Sequence, residues 1–159
     1  LVTLGGGSVL EPWAEYDPVF AENKRSYLES LELPTPLQTL TRLAIEGKCL
    51  VNLTHFELLQ NLNKNDLETI LKDEKLKKKI RLFSDANHTY LVSRENWDQC
   101  RHNIINCIKD YHRSHPDLPG ADMDRLLVDL NKVPDKVLVT TIVNELKDEK
   151  VLIQTNGYI

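Results

Sequence analysis

The sequence has few cysteines, few aromatic residues and no long apolar run. Its 159 residues include three cysteines, Cys49, Cys100 and Cys107, and such an odd, sparse set is typical of reduced thiols in the cytosol. Aromatic residues make up 6% of the chain, so the core must consist mainly of Leu, Ile and Val, which favours several small cores over one large core. No apolar run approaches the length of a membrane span. We therefore expect a cytoplasmic protein without a membrane segment.

An excess of basic charge is also absent. The 20 Lys and Arg residues are outnumbered by 24 Asp and Glu residues, and the formal net charge is −4. A division at Val92 leaves 11 basic and 13 acidic residues before it and 9 basic and 11 acidic residues after it, so each part carries −2. Domains that depend on phosphate contacts are usually basic. Nucleic-acid binding by this chain must therefore be local or shared with other parts of a longer protein.

The chain lacks a P-loop, the Gly-x-x-x-x-Gly-Lys-Ser/Thr motif that binds nucleotide phosphates. Gly5-Gly6-Gly7 is not followed by a helix that carries a lysine, so it indicates a flexible bend. The sequence begins at Leu1 without Met or a basic segment, which argues against a signal peptide and indicates a fragment of a longer protein. We expect no cofactor, no bound GTP and no catalytic residue in this fragment.

The first half contains signals for four helices and two strands. Thr54 with Glu57, and Asn65 with Glu68, have the spacing of capping boxes. Asp85-Ala86-Asn87 is prone to form a turn. The predicted elements, in order, are a helix at 19–31, a helix at 36–46, a β-like run at 48–52, helices at 54–62 and 65–72, and strands at 79–83 and 89–92.

The second half repeats this order. Ser93 is placed to cap a long helix to about Ser114, and Pro134 suits the first turn of a later helix. Asn156-Gly157 is a strong hairpin signal, because both positions tolerate positive φ. The predicted elements are a helix at 93–114, a loop at 116–120, a helix at 122–130, a helix from 134, and strands at 151–154 and 158–159.

Three helices followed by a hairpin, twice over, are the order of the winged helix-turn-helix. The sequence therefore predicts an α+β, mainly helical fold made of two tandem winged-helix domains. The first domain is expected at 19–92 and the second at 93–159, with almost no linker between them. Residues 1–18 are expected to be the end of a strand followed by a linker.

Four stretches resemble one family of translation factors. The stretches are 4–12 (Leu-Gly-Gly-Gly-Ser-Val-Leu-Glu-Pro), 111–120 (Tyr-His-Arg-Ser-His-Pro-Asp-Leu-Pro-Gly), 125–127 (Arg-Leu-Leu) and 146–152 (Leu-Lys-Asp-Glu-Lys-Val-Leu). Together they are similar to the C-terminal region of the selenocysteine-specific elongation factor SelB family. The stretch at 4–12 resembles the exit from the β-barrel that precedes the winged helices, and the stretch at 111–120 resembles the turn of the family's second winged helix.

The resemblance implies a function for the whole protein rather than for this fragment. SelB-like factors bind GTP, with Mg²⁺, and selenocysteyl-tRNA through N-terminal domains, and they act on the ribosome at UGA codons. Their last winged helices bind the selenocysteine-insertion hairpin of the mRNA. This chain resembles the first two winged helices, and the matching motifs are architectural. It is therefore expected to be a monomeric spacer that contacts the flanking domains of its own chain.

One concentrated basic patch stands out in the first half. Residues 72–81 carry six positive and two negative charges, at the expected end of a recognition helix and start of a wing. These elements contact phosphates in winged helices, although a lysine-rich helix end is also a common solvated terminus that complements the helix dipole. The candidate RNA-phosphate contacts are Lys72, Lys75, Lys77, Lys78, Lys79 and Arg81.

Other polar clusters are weaker candidates. The spacing of Cys100, His102, Cys107, His112 and His115 does not fit a structural zinc site, and both cysteines fall on an apolar stripe, where a thiol behaves as a small hydrophobic group. The two later histidines more often mark a helix end than an acid–base pair. No metal site is expected.

Two other functions fit a winged helix. A DNA-binding transcription regulator would present a basic recognition helix. In the second predicted domain, however, the outward positions of the recognition helix are mixed in charge. They are Lys136, Thr140, Asn144 and Lys147, among Asp135, Glu145 and Asp148. A protein–protein adaptor is compatible with the acidic charge. An upstream GTPase domain in the complete protein favours the translation factor, and an upstream ligand-sensing domain favours the regulator.

Overall fold

The computed structural model describes residues 24–48, 50–130, 135–155 and 157–159. The expected linker at 1–18, the start of the predicted helix at 19–31, Cys49, Pro134 and Asn156 lie outside these ranges. The chain divides into two compact units, one ending at Ser93 and the other beginning at Arg94. Each unit is described by itself.

The first unit contains five helices and three strands among its described residues. In chain order they are α1 (Lys24–Leu31), α2 (Pro36–Thr41, continued by a π-helical turn at Arg42–Glu46), β1 (Val51–Asn52), α3 (Leu53–Leu59), α4 (Lys64–Leu71), α5 (Glu74–Lys79), β2 (Ile80–Ser84) and β3 (Thr89–Ser93). The helix α2 begins at Pro36, and the hydroxyl of Thr35 accepts a hydrogen bond from the Gln38 amide at 3.3 Å. Proline suits this position because the first helical amides have no partner within the helix.

The three strands form one antiparallel sheet in the order β1-β3-β2. The central strand β3 pairs Leu91 with Val51 of β1 on one side and with Leu82 of β2 on the other. The helices α3 and α4 lie in sequence between the first strand and the hairpin, as in a winged helix. The core is mainly aliphatic, and its most deeply buried members include Leu40, Ala44, Phe56, Leu76 and Leu91. The predicted α+β winged-helix fold is confirmed.

Both capping boxes predicted from the sequence are misplaced. Thr54 lies inside α3, and the side chain of Asn52 caps this helix by accepting from the His55 amide at 3.2 Å. The cap of α4 is Asn63, which accepts from the Asp66 amide at 3.0 Å, while the Asp66 carboxylate accepts from the Asn63 amide at 3.1 Å. Asn52 and Asn63 have the extended backbone that an N-cap requires, whereas the predicted capping residues have already entered the helix.

The second unit contains three described helices: α6 (Arg94–Ser114), α7 (Met123–Asp129) and α8 (Lys136–Asp148). The sequence predicts an apolar stripe on α6, made of Trp97, Cys100, Ile104, Cys107, Ile108 and Tyr111. Cys107 and Tyr111 are half-buried, and the other four are buried. Asp122 caps α7 by accepting from the Arg125 amide at 2.7 Å. The remaining buried apolar residues of this unit are Ala121, Leu126, Leu138, Val139, Ile142, Val143, Leu146 and Ile159.

The strands predicted at 151–154 and 158–159 do not form, although the predicted turn closes: the backbone groups of Thr155 and Tyr158 exchange two hydrogen bonds, of 2.9 and 3.0 Å. The Leu146 carbonyl, at the end of α8, accepts hydrogen bonds from the amides of Val151 and Leu152, at 2.9 and 3.1 Å. These residues finish the helix, so they are not available for a strand. In the described part of this segment, an isolated Thr155–Tyr158 bridge is the β-type pairing that forms.

Ile159 pairs instead with Ala121, the residue before the N-cap of α7. Its amide donates to the Ala121 carbonyl at 2.9 Å, and its carbonyl accepts from the Ala121 amide at 3.2 Å. This pair joins the segment before the second helix of the unit to the segment after the third. In the first unit, the β1–β3 pairing likewise joins the segment before α3 to a segment that follows α4.

No helix in the described ranges has both the length and the apolar character that crossing a bilayer would require.

Candidate nucleic-acid interface

The lysine-rich segment forms a helix that the sequence did not predict. The pattern placed Lys72 at the end of a recognition helix and Lys79 at the start of a strand, but α5 (Glu74–Lys79) intervenes and β2 begins at Ile80. The Asp73 side chain caps α5 by accepting from the Leu76 amide at 2.9 Å. The Leu76 side chain is 2% exposed and anchors the helix in the core of the first unit. The sequence signal that could have predicted this helix is Asp73, a common N-cap residue, followed three residues later by Leu76, an isolated apolar residue.

The structure brings four of the candidate lysines together on α5. Lys75, Lys77, Lys78 and Lys79 are all exposed. Among the described residues, none of these four ammonium groups lies within ion-pair distance of a carboxylate. Their charges are therefore not neutralised by close partners within the described chain, and solvent ions or an external anion can approach them.

The two remaining candidates flank α5. Lys72 follows α4, and its Nζ lies 3.7 Å from the Glu68 carboxylate, one helical turn earlier, with both side chains largely exposed. Such a pair contributes little to stability, because water screens it. Arg81 is half-buried on β2 and lies opposite Val92 of β3. The basic patch therefore spans the end of α4, all of α5 and the first part of the wing.

The helix α4, which occupies the position of a recognition helix, is not basic on its exposed surface. Lys64 is exposed there, but so are Asp66 and Glu68, and Asp66 is committed to the cap of the helix. Base reading in a major groove depends on Arg, Asn or Gln side chains without competing acids. The charge distribution of this unit therefore favours contact through α5 over insertion of α4 into a groove.

The turn of the wing is organised around a carboxylate. Asp85 accepts from the amides of Asn87 and His88 at 2.8 and 2.7 Å, and from the Tyr90 hydroxyl at 3.2 Å. The two amide hydrogen bonds are the main reason that the pKa of Asp85 lies below its usual value. The Phe83 and Tyr90 rings stack with centroids 5.5 Å apart. The far end of the wing is therefore structured but carries a negative charge, which confines the basic patch to the near end.

The recognition-helix position of the second unit is occupied by α8, and its polar groups are largely engaged with each other. The Lys147 ammonium donates to the Gln154 side-chain oxygen at 2.6 Å and lies 3.5 Å from the Asn144 oxygen. Arg101 of α6 donates to both carboxylate oxygens of Glu149 and lies 3.6 Å from the Glu145 carboxylate. The two glutamates neutralise Arg101, whereas Lys147 is bound by neutral amide oxygens, so α8 does not present four closely spaced lysines as α5 does.

The candidate cysteines and histidines in α6 and directly after it do not form a cluster. Burial raises the pKa of the Cys100 thiol to about 11, and it also raises the pKa of the half-buried Cys107. The His115 ring stacks on Tyr111 with centroids 4.7 Å apart, and the exposed His112 ring meets the same tyrosine edge-on. Among the described residues, no three His, Cys, Asp or Glu side chains are grouped so that they could hold a metal ion.

Comparison with known proteins gives a match for the second unit. Residues 106–159 match the family described as "Elongation factor SelB, winged helix", which represents the second winged-helix domain of SelB. The matched segment includes the end of α6, α7 and α8. No curated protein matches the chain. The family match is consistent with the C-terminal winged-helix region of SelB, in agreement with the resemblance found in the sequence.

Proposed function

We propose that this chain is a spacing and interaction module of a selenocysteine-specific elongation factor. In this proposal the module connects a GTPase core, which carries selenocysteyl-tRNA and uses GTP with Mg²⁺, to a distal element that binds the insertion hairpin of the mRNA. The complete factor works on the ribosome in the cytoplasm, and the module itself performs no catalysis. The match of residues 106–159 to the SelB winged helix is the observation that carries the proposal.

The charge distribution supports a spacing role. Asp66 and Glu68 lie on the exposed surface of α4, and Glu145 and Glu149 neutralise Arg101 beside α8. Neither helix therefore has the basic surface of a sequence-reading element. The same observation argues against a DNA-binding regulator.

A folded connection has a clear physical advantage. Linking two binding elements makes the second binding event intramolecular, with an effective concentration set by the length and stiffness of the connection. A flexible chain distributes its ends over many separations, whereas folded units restrict them. A folded module of this kind would therefore raise the concentration of the tRNA-carrying core near the decoded codon.

A titration of the chain with RNA tests this role. The chain is added to a labelled insertion hairpin and to a stem-loop of the same length with a scrambled loop and stem. We expect the two affinities to agree within about threefold, because the hairpin-reading element is assigned to another part of the factor. Tight binding that discriminates the insertion hairpin by tenfold or more would contradict the proposal.

A protein-adaptor role is the second candidate, and exposed apolar groups of the second unit favour it. Ile153 is 79% exposed and Val151 is 50% exposed, on the segment after α8. Apolar side chains at this exposure are typical of contact surfaces when they cluster. If replacement of both residues by serine abolished ribosome-dependent selenocysteine incorporation while leaving the fold intact, the adaptor role would be favoured.

A further inference from the structure

We propose that α5 and the near end of the wing form a phosphate-binding surface that holds an RNA backbone without reading its sequence. The choice of RNA as the partner rests on the proposed function, since a translation factor works among ribosomal, transfer and messenger RNAs. The surface itself is argued from α5 and the residues next to it. It adds a contact to a module that otherwise acts only as a spacer.

The helix α5 concentrates positive charge over a short length. It has six residues, and at a rise of about 1.5 Å per residue it is roughly 9 Å long. Its four lysines and Glu74 leave a net charge of +3, or one charge per roughly 3 Å, about half the density of a DNA duplex, which carries one negative charge per about 1.7 Å of axis. Counterions condensed on such a duplex are released when lysines replace them, which favours binding.

The position of α5 is fixed by its N-terminal cap and by buried residues of the first unit. Asp73 caps the start of α5, the side chain of Leu76 within the helix is buried, and so is Ile80, directly after it. Because the backbone is anchored in this way, binding does not require the helix to form first. Glu74 is exposed in the first turn and is the one acidic side chain within α5. The positive charges therefore predominate toward the C-terminal end of the helix.

The composition indicates contact with the backbone and not with bases. Lysine is a flexible point charge, without the planar fork by which arginine reads guanine or grips a phosphate in two places. No aromatic side chain lies between the lysines, so stacking on bases has no platform here. The acidic side chains of Asp66 and Glu68 on α4 also oppose its insertion into a groove. An RNA backbone lying across α5 satisfies all of these features.

Neutralising the lysines tests the proposal. The triple variant Lys75→Gln, Lys78→Gln, Lys79→Gln, whose positions share one face of α5 at i, i+3 and i+4, is compared with the wild-type chain for binding to two RNA duplexes of unrelated sequence, at several salt concentrations. The wild type should bind both duplexes equally. Each lysine that contacts a phosphate contributes about 0.9 to the slope of log affinity against log salt, so the variant should lose roughly 2 to 3 from the slope. Circular dichroism and thermal unfolding verify that α5 remains folded.

A control variant separates local contact from net charge. Lys64→Gln, Lys109→Gln, Lys136→Gln removes the same charge from three exposed lysines elsewhere and should leave the salt slope within about 0.5 of the wild-type value. The proposal is overturned if both variants weaken binding equally, if neither does, or if the wild type prefers one duplex. A surface that binds an acidic protein instead would give the second of these results.

The insertion hairpin, added as a third RNA, separates this proposal from the proposed function. Selective binding of the hairpin that survives in the lysine variant contradicts both. Equal, lysine-independent binding of all three RNAs overturns only the phosphate surface.

Discussion

Replacement of Gly120 by alanine should destabilise the second unit strongly. Gly120 has a φ of +134°, which L-amino acids with a side chain rarely adopt. A Cβ at this position would lie 2.3 Å from the Ile159 carbonyl oxygen and 3.0 Å from the carbonyl carbon. These are backbone atoms, so the contact cannot be relieved by rotation of a flexible side chain. The Ile159 oxygen is also the acceptor of the Ala121 amide.

The expected magnitude has two parts. Forcing a residue with a Cβ into the left-handed region costs about 1–2 kcal/mol. Displacing Ile159 breaks its two backbone hydrogen bonds with Ala121, each with a net contribution of roughly 1 kcal/mol. The free energy of unfolding should therefore fall by about 3 kcal/mol. For a unit of this size this corresponds to a decrease in Tm of roughly 12 °C or more.

The chain provides a matched control in Gly157. Its φ is +89°, also in the region that favours glycine, but an added Cβ would meet no atom within 4 Å. Gly157→Ala should therefore show only the conformational penalty of about 1–2 kcal/mol. The difference between the two variants isolates the contact with Ile159.

Urea denaturation followed by tryptophan fluorescence measures both variants. Trp97 is 1% exposed in α6 and reports on the second unit, and Trp13→Phe removes the other tryptophan. Equal losses in the two variants, or a loss below about 1 kcal/mol for Gly120→Ala, would refute the proposed steric contact with Ile159.

Three further predictions concern the second unit. Burial raises the pKa of the Cys100 thiol from 9.0 to about 11. The stability contributed by the neutral thiol is therefore intact below pH 9 and is lost as the pH rises toward 11. The urea midpoint should fall more over this pH range for the wild type than for Cys100→Ala, and parallel pH dependence of the two midpoints would contradict the prediction. A double-mutant cycle on Arg101 and Glu149, whose side chains are 25% and 42% exposed, should give a coupling of roughly 0.5–1 kcal/mol, against zero if the pair is inert. Lys150 has a φ of +60°, so Lys150→Gly should raise the free energy of unfolding by about 0.5–1 kcal/mol in the same assay; a decrease would contradict the strain.

Most of the helices could be predicted because hydrophobic spacing identifies them. The stripe of α6 is one example, since Trp97, Cys100, Ile104 and Ile108 recur at intervals of three and four residues and are all buried. Tyr111 continues the same spacing but is only half-buried. Periodicity therefore identifies the face of a helix, whereas the depth of burial depends on what packs against it.

Two features could not be predicted, for different physical reasons. The helix α5 is too short for a periodic pattern, and its position depends on the cap by Asp73 and on one buried side chain, Leu76. The predicted C-terminal hairpin rested on a local turn signal, but a strand also needs free backbone groups. The amides of Val151 and Leu152 are bound by the Leu146 carbonyl, so the end of α8 takes precedence over the hairpin.

The sequence identified the basic residues of the candidate site but not the helix that carries most of them. The six basic residues were identified from their density along the chain, and the structure places four of them on α5. The predicted end of the recognition helix at Lys72 and the predicted start of the strand at Lys79 each lie within one residue of the observed boundaries, but the helix α5 between them was not predicted. Whether they contact RNA remains a prediction.

The spacing role is the central claim, and selenocysteine incorporation tests it most directly. In the complete factor, this module is replaced by a Gly/Ser chain of the same number of residues, and read-through of a UGA reporter is measured together with GTP binding and hairpin binding. The account predicts that both binding activities persist while read-through falls at least tenfold, because the flexible chain lowers the effective concentration of the core at the codon. Read-through equal to that of the wild-type factor would contradict it.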